Sequence, residues 1–281
     1  MVKIITDTAS DITLAQAQQM DVEIVSLGVQ FGSTPYFQLE DETFEEFYRQ
    51  LETSKELPVT SQPSPTDFLV HFAKAKQQKD EVVVILLSGA LSGTVQSALI
   101  AKNMAEYDKI HIIDSHSAIM GLRLLVEYAV KLRKEGKTAA EIADLVEKGT
   151  GRIKLYGALD TLKYLRKGGR IPKSTEVIGS VLGIKPLITL TAEGSIEMAG
   201  KARGHAGAVS MLIKKMDECP AFDPEVPVYF GYTKDAVPCH SFKKIAAARY
   251  KLTNIKQYPI GGLIGTHVGP GGLAVVYMEK E

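Results

Sequence analysis

The sequence predicts an α/β protein of two domains, because the rhythm of its strands and helices changes halfway along. Over the first half of the 281 residues, strand and helix patterns alternate. Alternation of this kind predicts a mostly parallel sheet with helices on both faces. After Lys148-Gly149-Thr150-Gly151, strand patterns dominate and only two long helices interleave, which predicts a mixed or antiparallel sheet with helices on one face. The predicted domains are therefore residues 1–150 and 151–281.

The elements of the first half follow from apolar periodicity and from turn residues. A short strand is predicted at residues 2–5, followed by a helix over 12–20 that Ser10 or Asp11 would cap. Further strands are predicted at residues 22–29, 82–87 and 109–113. Further helices are predicted at residues 44–51, 66–76, 93–107, 118–135 and 139–147.

The second half is read in the same way. Its predicted strands are residues 152–158, 185–191, 195–202, 226–232, 254–260 and 273–278. Its two predicted helices are residues 205–216 and 240–251.

Composition and charge exclude several classes of protein. Hydrophobic content of 45% and charged content of 23% are ordinary for a globular domain. Lys+Arg and Asp+Glu both number 33, so no global field attracts nucleic acid, and membrane contact would at most be transient. Two cysteines are too few for a disulfide scaffold or a four-cysteine zinc site. The first residues lack the apolar segment of a signal peptide, which predicts a cytoplasmic protein.

The most informative segment is an aliphatic run, Val82 to Leu87, that leads into the loop Ser88-Gly89-Ala90-Leu91-Ser92-Gly93-Thr94. The run predicts a buried parallel strand, and a helical pattern follows the loop. Such a junction presents hydroxyls and backbone N–H groups beside the positive end of a helix dipole. The segment therefore predicts a site for an oxyanion, and the residues leave open whether that anion is a carboxylate or a phosphate.

Two other loops carry groups that suit an anion. Thr60 and Ser61 stand in a proline-braced loop at residues 60–65, where their hydroxyls could bind a ligand or hold their own backbone. A glycine-rich loop at residues 265–271 contains Thr266 and His267, and its glycines would allow close approach to a ligand. Taken alone, His267 could equally be an ordinary loop histidine.

Strand ends and basic segments add further candidates. Asp7 and Asp114 end predicted strands, which suits catalytic carboxylates or acceptors for loop amides. Residues 163–173 hold five cations and no acid, and Gly168-Gly169 would form a flexible turn that projects Arg170 outward. Arg203 lies in a second basic element at residues 201–204. The two basic segments could be solvated turns, or they could form one face that binds phosphates or an acidic partner.

Several motifs are missing from the sequence. It contains no phosphate loop of the Gly-x-x-x-x-Gly-Lys-Ser/Thr type, and the spacing Gly89-x-x-x-Gly93 is not the dinucleotide fingerprint. No Gly-x-Ser-x-Gly elbow precedes a helix, so a hydrolase triad lacks its usual signature. We therefore expect no cofactor and no metal.

Together, these segments resemble the DegV family of fatty-acid-binding proteins over essentially the whole chain. Each segment alone is a weak signal, and their order and spacing make the resemblance specific. The matching segments are residues 6–11, 60–64, 91–94, 113–115, 162–171, 183–186, 201–204 and 265–271. One departure is Gly89, where related loops often carry a second serine beside Ser88.

The resemblance implies two α/β domains with a long-chain fatty acid between them. It implies the fatty-acid-binding subunit of a bacterial fatty acid kinase, which serves phospholipid synthesis and has no catalytic activity alone. Such a subunit presents the acyl carboxylate to a separate ATP-binding subunit and carries away the acyl phosphate. By matching motifs, Arg170 and Arg203 correspond to positions linked to the kinase partner. The carboxylate-binding residues so implied are Thr60, Ser61, Ser92, Gly93, Thr266 and His267.

Two other functions and the location of the tail site stay open at this point. An independent serine hydrolase or acyl transferase would use Ser92 as nucleophile and His267 as base, within hydrogen-bond reach of each other. A small-molecule sensor would bind a ligand without a catalytic partner. The apolar patches at residues 178–182 and 260–264 are candidates for the tail site, although most of them would suit core packing.

Overall fold

The computed structural model describes residues 1–36, 43–171 and 183–280, and its elements follow the predicted order. The strands are β1 Val2–Asp7, β2 Val22–Val25, β3 Gly28–Phe31, β4 Thr34–Tyr36, β5 Val59–Ser61, β6 Glu81–Leu86, β7 Ile110–Asp114, β8 Ile153–Ala158, β9 Ile184–Leu190, β10 Ile196–Arg203, β11 Val228–Tyr232, β12 Ile255–Pro259 and β13 Leu273–Met278. The α-helices are α1 Leu14–Met20, α2 Thr43–Thr53, α3 Pro65–Gln78, α4 Thr94–Ala105, α5 Ile119–Lys134, α6 Ala139–Thr150, α7 Lys163–Lys167, α8 Gly204–Asp217, α9 Val237–Tyr250 and α10 Gly262–Val268.

A four-stranded parallel sheet organises the first half, with strand order β2-β1-β6-β7. Successive residues of β6 face opposite sides, so Val83 packs in the cluster that contains α5 and α6, whereas Val84 packs against α3 and α4. Helices therefore cover both faces, and the predicted parallel sheet is confirmed. The run of Val82 to Leu87 is uniformly apolar because both faces of its strand are buried.

A six-stranded mixed sheet organises the second half, with strand order β10-β9-β8-β13-β11-β12. Only β11 and β12 run parallel, and all other neighbours are antiparallel. Helices α8 and α9 cover one face, where Leu212 and Phe242 pack with Phe230. The opposite face packs on α5, which explains why residues 119–126 of that helix are all buried.

A third, three-stranded sheet of order β4-β3-β5 was not predicted. In it, Thr60 pairs in register with Val29, and Ser61 with Gly28. The predicted loop at residues 60–65 is therefore wrong for its first two residues, because the prolines exclude a strand only from residue 63 onward. The hydroxyls of Thr60 and Ser61 stand on a strand rather than on a flexible turn.

Two further expectations about local structure are wrong. The first α-helix begins at Leu14, and its cap is Thr13, whose Oγ1 accepts a hydrogen bond from Gln16 N in a capping box. Thr266 and His267 lie on α10 and not in a loop. The glycines of α10 serve close packing instead, since a Cβ added at Gly265 would lie 2.5 Å from the Tyr48 hydroxyl.

The predicted division of the chain at residue 150 coincides with the end of α6, and β8 begins at Ile153. One hydrophobic cluster nevertheless joins both halves through α5, and it includes Ile4 on β1 and Val276 on β13. In the part of the chain that the structure describes, no helix is both long and apolar enough to cross a membrane.

Candidate ligand-binding cavity

A cavity of about 390 Å³ lies where the two halves of the chain meet. Most of its lining is aliphatic, which suits a ligand with a long apolar portion. The apolar lining residues are Leu27, Leu87, Leu91, Ala118, Ile119, Leu155, Gly157, Leu159, Leu165, Ile188, Leu190, Ile196, Ile260, Leu263, Ile264, Val268, Gly272, Leu273 and Ala274. The polar lining residues are Thr60, Ser61, Gln62, Ser92, Arg170, Thr233 and His267.

All of these polar residues except Thr233 form one group, which we call the polar cluster. Thr60 Oγ1 lies 3.0 Å from His267 Nε2, and Ser61 and Gln62 follow Thr60 along the chain. The Gln62 amide approaches Gly93 so closely that a Cβ on Gly93 would lie 2.0 Å from Oε1. Arg170 Nε donates to the carbonyl of Leu91, the residue before Ser92. The polar lining is therefore concentrated at one place in a mainly apolar cavity.

His267 is neutral at physiological pH. Burial, together with the nearby charge of Arg170, lowers the pKa of its imidazole to about 4. Its Nδ1 is buried without a hydrogen-bond partner in the described residues and faces Gly168, where an added Cβ would lie 2.1 Å away. Because a buried N–H without a partner is rarer than an unpaired acceptor, we assign the proton to Nε2. Nε2 then donates to Thr60 Oγ1 and leaves the Thr60 hydroxyl proton for a ligand.

Ser92 and Gly93 precede the first turn of α4. Gly93 is the N-cap residue of this helix, and no side chain caps it, so the first-turn N–H groups lack partners within the helix. Ser92 Oγ lies 2.8 Å from Thr94 Oγ1, and Ser92 lines the cavity while Gly93 does not. Gly93 instead provides the room that the Gln62 side chain occupies.

Arg170 folds back over the polar cluster rather than projecting outward. Gly169 takes a left-handed conformation with φ of 72°, and Arg170 N donates to Leu165 O, so the turn ends α7 in a Schellman motif. Arg170 Nη1 then donates to Gly168 O at 2.6 Å, in addition to the bond to Leu91 O. The predicted turn is therefore present and directs Arg170 toward the loop of Ser92, while its flexibility stays a prediction.

The structure brings four of the six implied carboxylate-binding residues to the cavity: Thr60, Ser61, Ser92 and His267. Thr266 does not line it, because its buried side chain donates to Gly262 O within α10. Arg203 is exposed at the end of β10, also away from the cavity. It pairs in register with Ile184.

Sequence reasoning missed Gln62 as a site residue. Gln62 directly follows Ser61 in a segment that the sequence singles out. A glutamine amide, however, belongs to no sequence motif that would mark it as a ligand-binding residue. Of the tail candidates at residues 260–264, Ile260, Leu263 and Ile264 line the cavity. The candidates at residues 178–182 lie outside the described residues, as do the last two residues of the basic segment 163–173.

The strand-end carboxylates bind loop amides. Asp7 accepts hydrogen bonds from Leu87 N and Ala9 N at 2.7 and 2.8 Å, and burial raises its pKa to about 7. Asp114 accepts from Gly89 N at 3.0 Å. A Cβ on Gly89 would lie 2.7 Å from Asp114 Oδ2, so the glycine at this position allows the carboxylate to hold the loop.

The geometry gives no support to a serine nucleophile. The hydrogen-bond partner of Ser92 Oγ is Thr94 Oγ1, whereas that of His267 Nε2 is Thr60 Oγ1. Within the described ranges, no hydrogen bond joins Ser92 to His267, and no carboxylate orients the imidazole. A base that activates Ser92 is therefore not in place.

The fold and the cavity define an α/β protein that encloses an apolar space ending in a cluster of hydrogen-bonding groups. The model of the DegV family, described as an uncharacterised protein family, matches residues 1–280. The chain belongs to the DegV family.

Relatives and solved structures match over the same extent. A DegV domain-containing protein of Caldanaerobacter subterraneus subsp. tengcongensis is 30% identical over 279 residues, which is 99% of each chain. A structure on fatty acid binding of a DegV family protein from Thermus thermophilus matches with a TM-score of 0.89 at 27% identity, over 99% of each chain. A stearic acid-binding protein from Eubacterium ventriosum matches with a TM-score of 0.86 at 26% identity, also over 99% of each.

Proposed function

We propose that this protein binds a long-chain fatty acid, with its acyl chain in the cavity and its carboxylate at the polar cluster. The observation that carries the proposal is that hydrogen-bond donors lie together at one place in a cavity whose lining is mostly aliphatic. The similar proteins from Thermus thermophilus and Eubacterium ventriosum, which bind fatty acid and stearic acid, support it. We further propose that the domains are residues 1–150 and 151–281, with the ligand between them.

The carboxylate needs several donors, because an unpaired buried charge is costly. The Thr60 hydroxyl donates once His267 Nε2–H occupies its oxygen, and Ser61 and Ser92 supply two more hydroxyls. The guanidinium of Arg170 and the amino end of α4 add positive potential. A neutral His267 fits this role, since it orients Thr60 without carrying a charge of its own.

The apolar part of the cavity supplies most of the affinity. Each CH₂ group removed from water contributes about 0.8 kcal/mol, so a chain of about 16 carbons gains on the order of 12 kcal/mol before ordering costs. The polar cluster then fixes the position of the head group rather than the total affinity.

We propose that the bound acid is a substrate for a separate ATP-binding kinase subunit, and that the protein afterwards carries the acyl phosphate. The chain has no phosphate-loop motif of its own, and no base is placed on Ser92. Arg170 is exposed, and its Nε donates to Leu91 O in the loop of Ser92, so it would lie beside a carboxylate bound at the polar cluster. Because this step would consume ATP, we also propose that the protein acts in the cytoplasm.

Reconstitution with the fatty acid kinase subunit of the same organism tests this role. Protein loaded with palmitate, the kinase subunit and ATP should together yield acyl phosphate, which hydroxylamine traps as the hydroxamate. Omission of either protein should abolish the product. Tight palmitate binding without any product would instead favour a sensor.

A further inference from the structure

The segment that begins at the last residue of β1 contacts three elements of the cavity at once. This segment, residues 7–11, comprises the 3₁₀ turn Thr8–Ser10 and the residues that flank it. Asp7 lies at its start and is completely buried. Its Oδ2 accepts from Leu87 N at 2.7 Å and its Oδ1 accepts from Ala9 N at 2.8 Å. Leu87 lines the cavity and opens the loop that carries Ser92.

The same segment also accepts hydrogen bonds from the parts of the chain that position Thr60 and His267. Thr8 Oγ1 accepts from Leu27 N at 3.0 Å, and Leu27 leads into β3, which pairs with the strand of Thr60. Asp11 Oδ1 accepts from Gly261 N at 3.1 Å, and Gly261 is the N-cap residue of α10, the helix of His267. The loop of Ser92, the residue that leads into the partner strand of Thr60 and the helix of His267 thus each donate a hydrogen bond to this one short segment.

We propose that Asp7 is a positioning residue for the carboxylate of the ligand, because its two hydrogen bonds fix the Ser88–Gly93 loop relative to the segment that holds Thr60 and His267. The inference rests on the proposed function and assigns a role to a residue that touches no ligand. A carboxylate, which is the form of Asp7 above its pKa of about 7, suits this role because it accepts both N–H groups at once. An amide of the same shape has one acceptor oxygen, so in Asp7→Asn one of the two N–H groups faces an NH₂.

The test compares binding of palmitate and of 1-hexadecanol, which shares the tail but lacks the carboxylate, to delipidated protein. In Asp7→Asn we expect palmitate affinity to fall about tenfold, the loss typical of one buried hydrogen bond, and hexadecanol affinity to stay within about twofold. The matched control is Asp80→Asn, a buried carboxylate that binds the amino terminus at the opposite edge of the same sheet. This control should bind both ligands like the wild type.

Other results of these binding measurements would overturn either the positioning role of Asp7 or the proposed function. Equal losses for acid and alcohol would mean a general packing defect and would overturn the positioning role, as would unchanged palmitate binding by Asp7→Asn. If wild-type protein binds neither ligand, the proposed function itself fails.

A second measurement needs no variant and so does not depend on whether Asp7→Asn folds. In ligand-free wild-type protein, the Leu87 amide should exchange its hydrogen at least about 100-fold more slowly than a solvent-exposed loop amide, because Asp7 holds it. Exchange of Leu87 at the rate of an exposed amide would overturn the proposal.

Discussion

His267 Nε2 lies 3.0 Å from Thr60 Oγ1, although 207 residues separate them in the sequence. The contact joins α10 to β5 and directs the Thr60 hydroxyl proton into the cavity. It also reconciles a neutral imidazole with the proposed carboxylate site, since the imidazole would act on the ligand through Thr60. The following predictions depend on this arrangement.

Thr60→Val should lower palmitate affinity about tenfold, because it removes the hydroxyl that His267 orients and keeps the shape of the side chain. Titration of delipidated protein with palmitate measures the effect. Ser61→Ala is the matched comparison. Its hydroxyl has no orienting partner in the described part of the chain, so we expect a smaller loss. A larger loss from Ser61→Ala than from Thr60→Val would contradict the assignment.

His267→Gln should change the pH dependence of stability. The pKa of His267 is about 4 in the folded protein and near 6.5 when unfolded, so the unfolded state binds an extra proton between these values. The contribution of His267 to the free energy of unfolding therefore falls as pH falls from 6.5 to 4, by about 3 kcal/mol at most. Denaturant titrations of both proteins across this window measure the difference.

The ionisation of Asp7 changes stability with pH in the opposite direction. The contribution of His267 must therefore be measured by comparing the wild type with a variant. Its pKa is about 7 in the folded protein and 3.8 as a model value, so the folded state holds a proton that the unfolded state releases between these values. Its contribution to stability therefore falls as pH rises through this window. Asp7 contributes equally in both proteins. Subtracting the free energy of unfolding of His267→Gln from that of the wild type at each pH therefore removes the Asp7 contribution. A difference that does not vary from pH 6.5 to 4 would refute the assigned state of His267.

Ser92→Ala should impair acyl phosphate formation with the kinase subunit and leave the fold intact. Ser92 is half-buried, and within the described residues its side chain bonds only Thr94 Oγ1, so the free energy of unfolding should change by less than about 1 kcal/mol. Hydroxamate trapping measures product, and denaturant titration measures stability. Incubation with an activated ester should show no turnover in either protein. Turnover that Ser92→Ala abolishes would favour the hydrolase.

Arg170→Ala should reduce turnover with the kinase more than it reduces palmitate affinity, because Arg170 is exposed and acts from the rim of the polar cluster. We also expect the pKa of His267 to rise, since the charge that lowers it is gone. NMR titration of the imidazole measures this rise. Arg203→Ala tests the second implied partner position, and Arg166→Ala, which removes a cation from the same short helix, is the control. Wild-type turnover by Arg170→Ala would remove the assignment.

The parts of the fold that follow local rules could be predicted from the sequence. The uniform run from Val82 to Leu87 reports a strand buried on both faces, and the small residues after it mark the start of α4. The helix of Thr266 and His267 could not be predicted, because its glycines, which usually mark loops, are required by contacts with Phe47 and Tyr48. Those contacts arise only in the folded chain.

The candidate site also contains residues that could be predicted from the sequence and residues that could not. Hydroxyls and glycines at a strand end identified Ser92, and a proline-braced pair of hydroxyls identified Thr60 and Ser61. The position of Gln62 depends on its packing against Gly93, and that of Arg170 on its hydrogen bond to Leu91 O. Both residues stand in segments that the sequence singles out, but the contacts that position them could not be predicted, because each contact joins residues that are distant in the sequence.

Gly157 on β8 lines the cavity, so a larger residue at this position should block the proposed site for the acyl chain. A Cβ at this position first meets Ile188, another lining residue, at 3.4 Å, so the leucine side chain of Gly157→Leu extends toward the space that the acyl chain would occupy. Gly151→Leu is the matched control, because a Cβ at Gly151 meets no atom within 4 Å.

Solvent extraction and mass spectrometry of protein purified from a bacterial host test the central claim most directly. We predict that the wild type and Gly151→Leu each release close to one equivalent of a long-chain fatty acid, and that Gly157→Leu releases much less. Recovery of no acyl chain from the wild type, under conditions that retain bound lipid, would contradict the claim that this cavity holds a fatty acid.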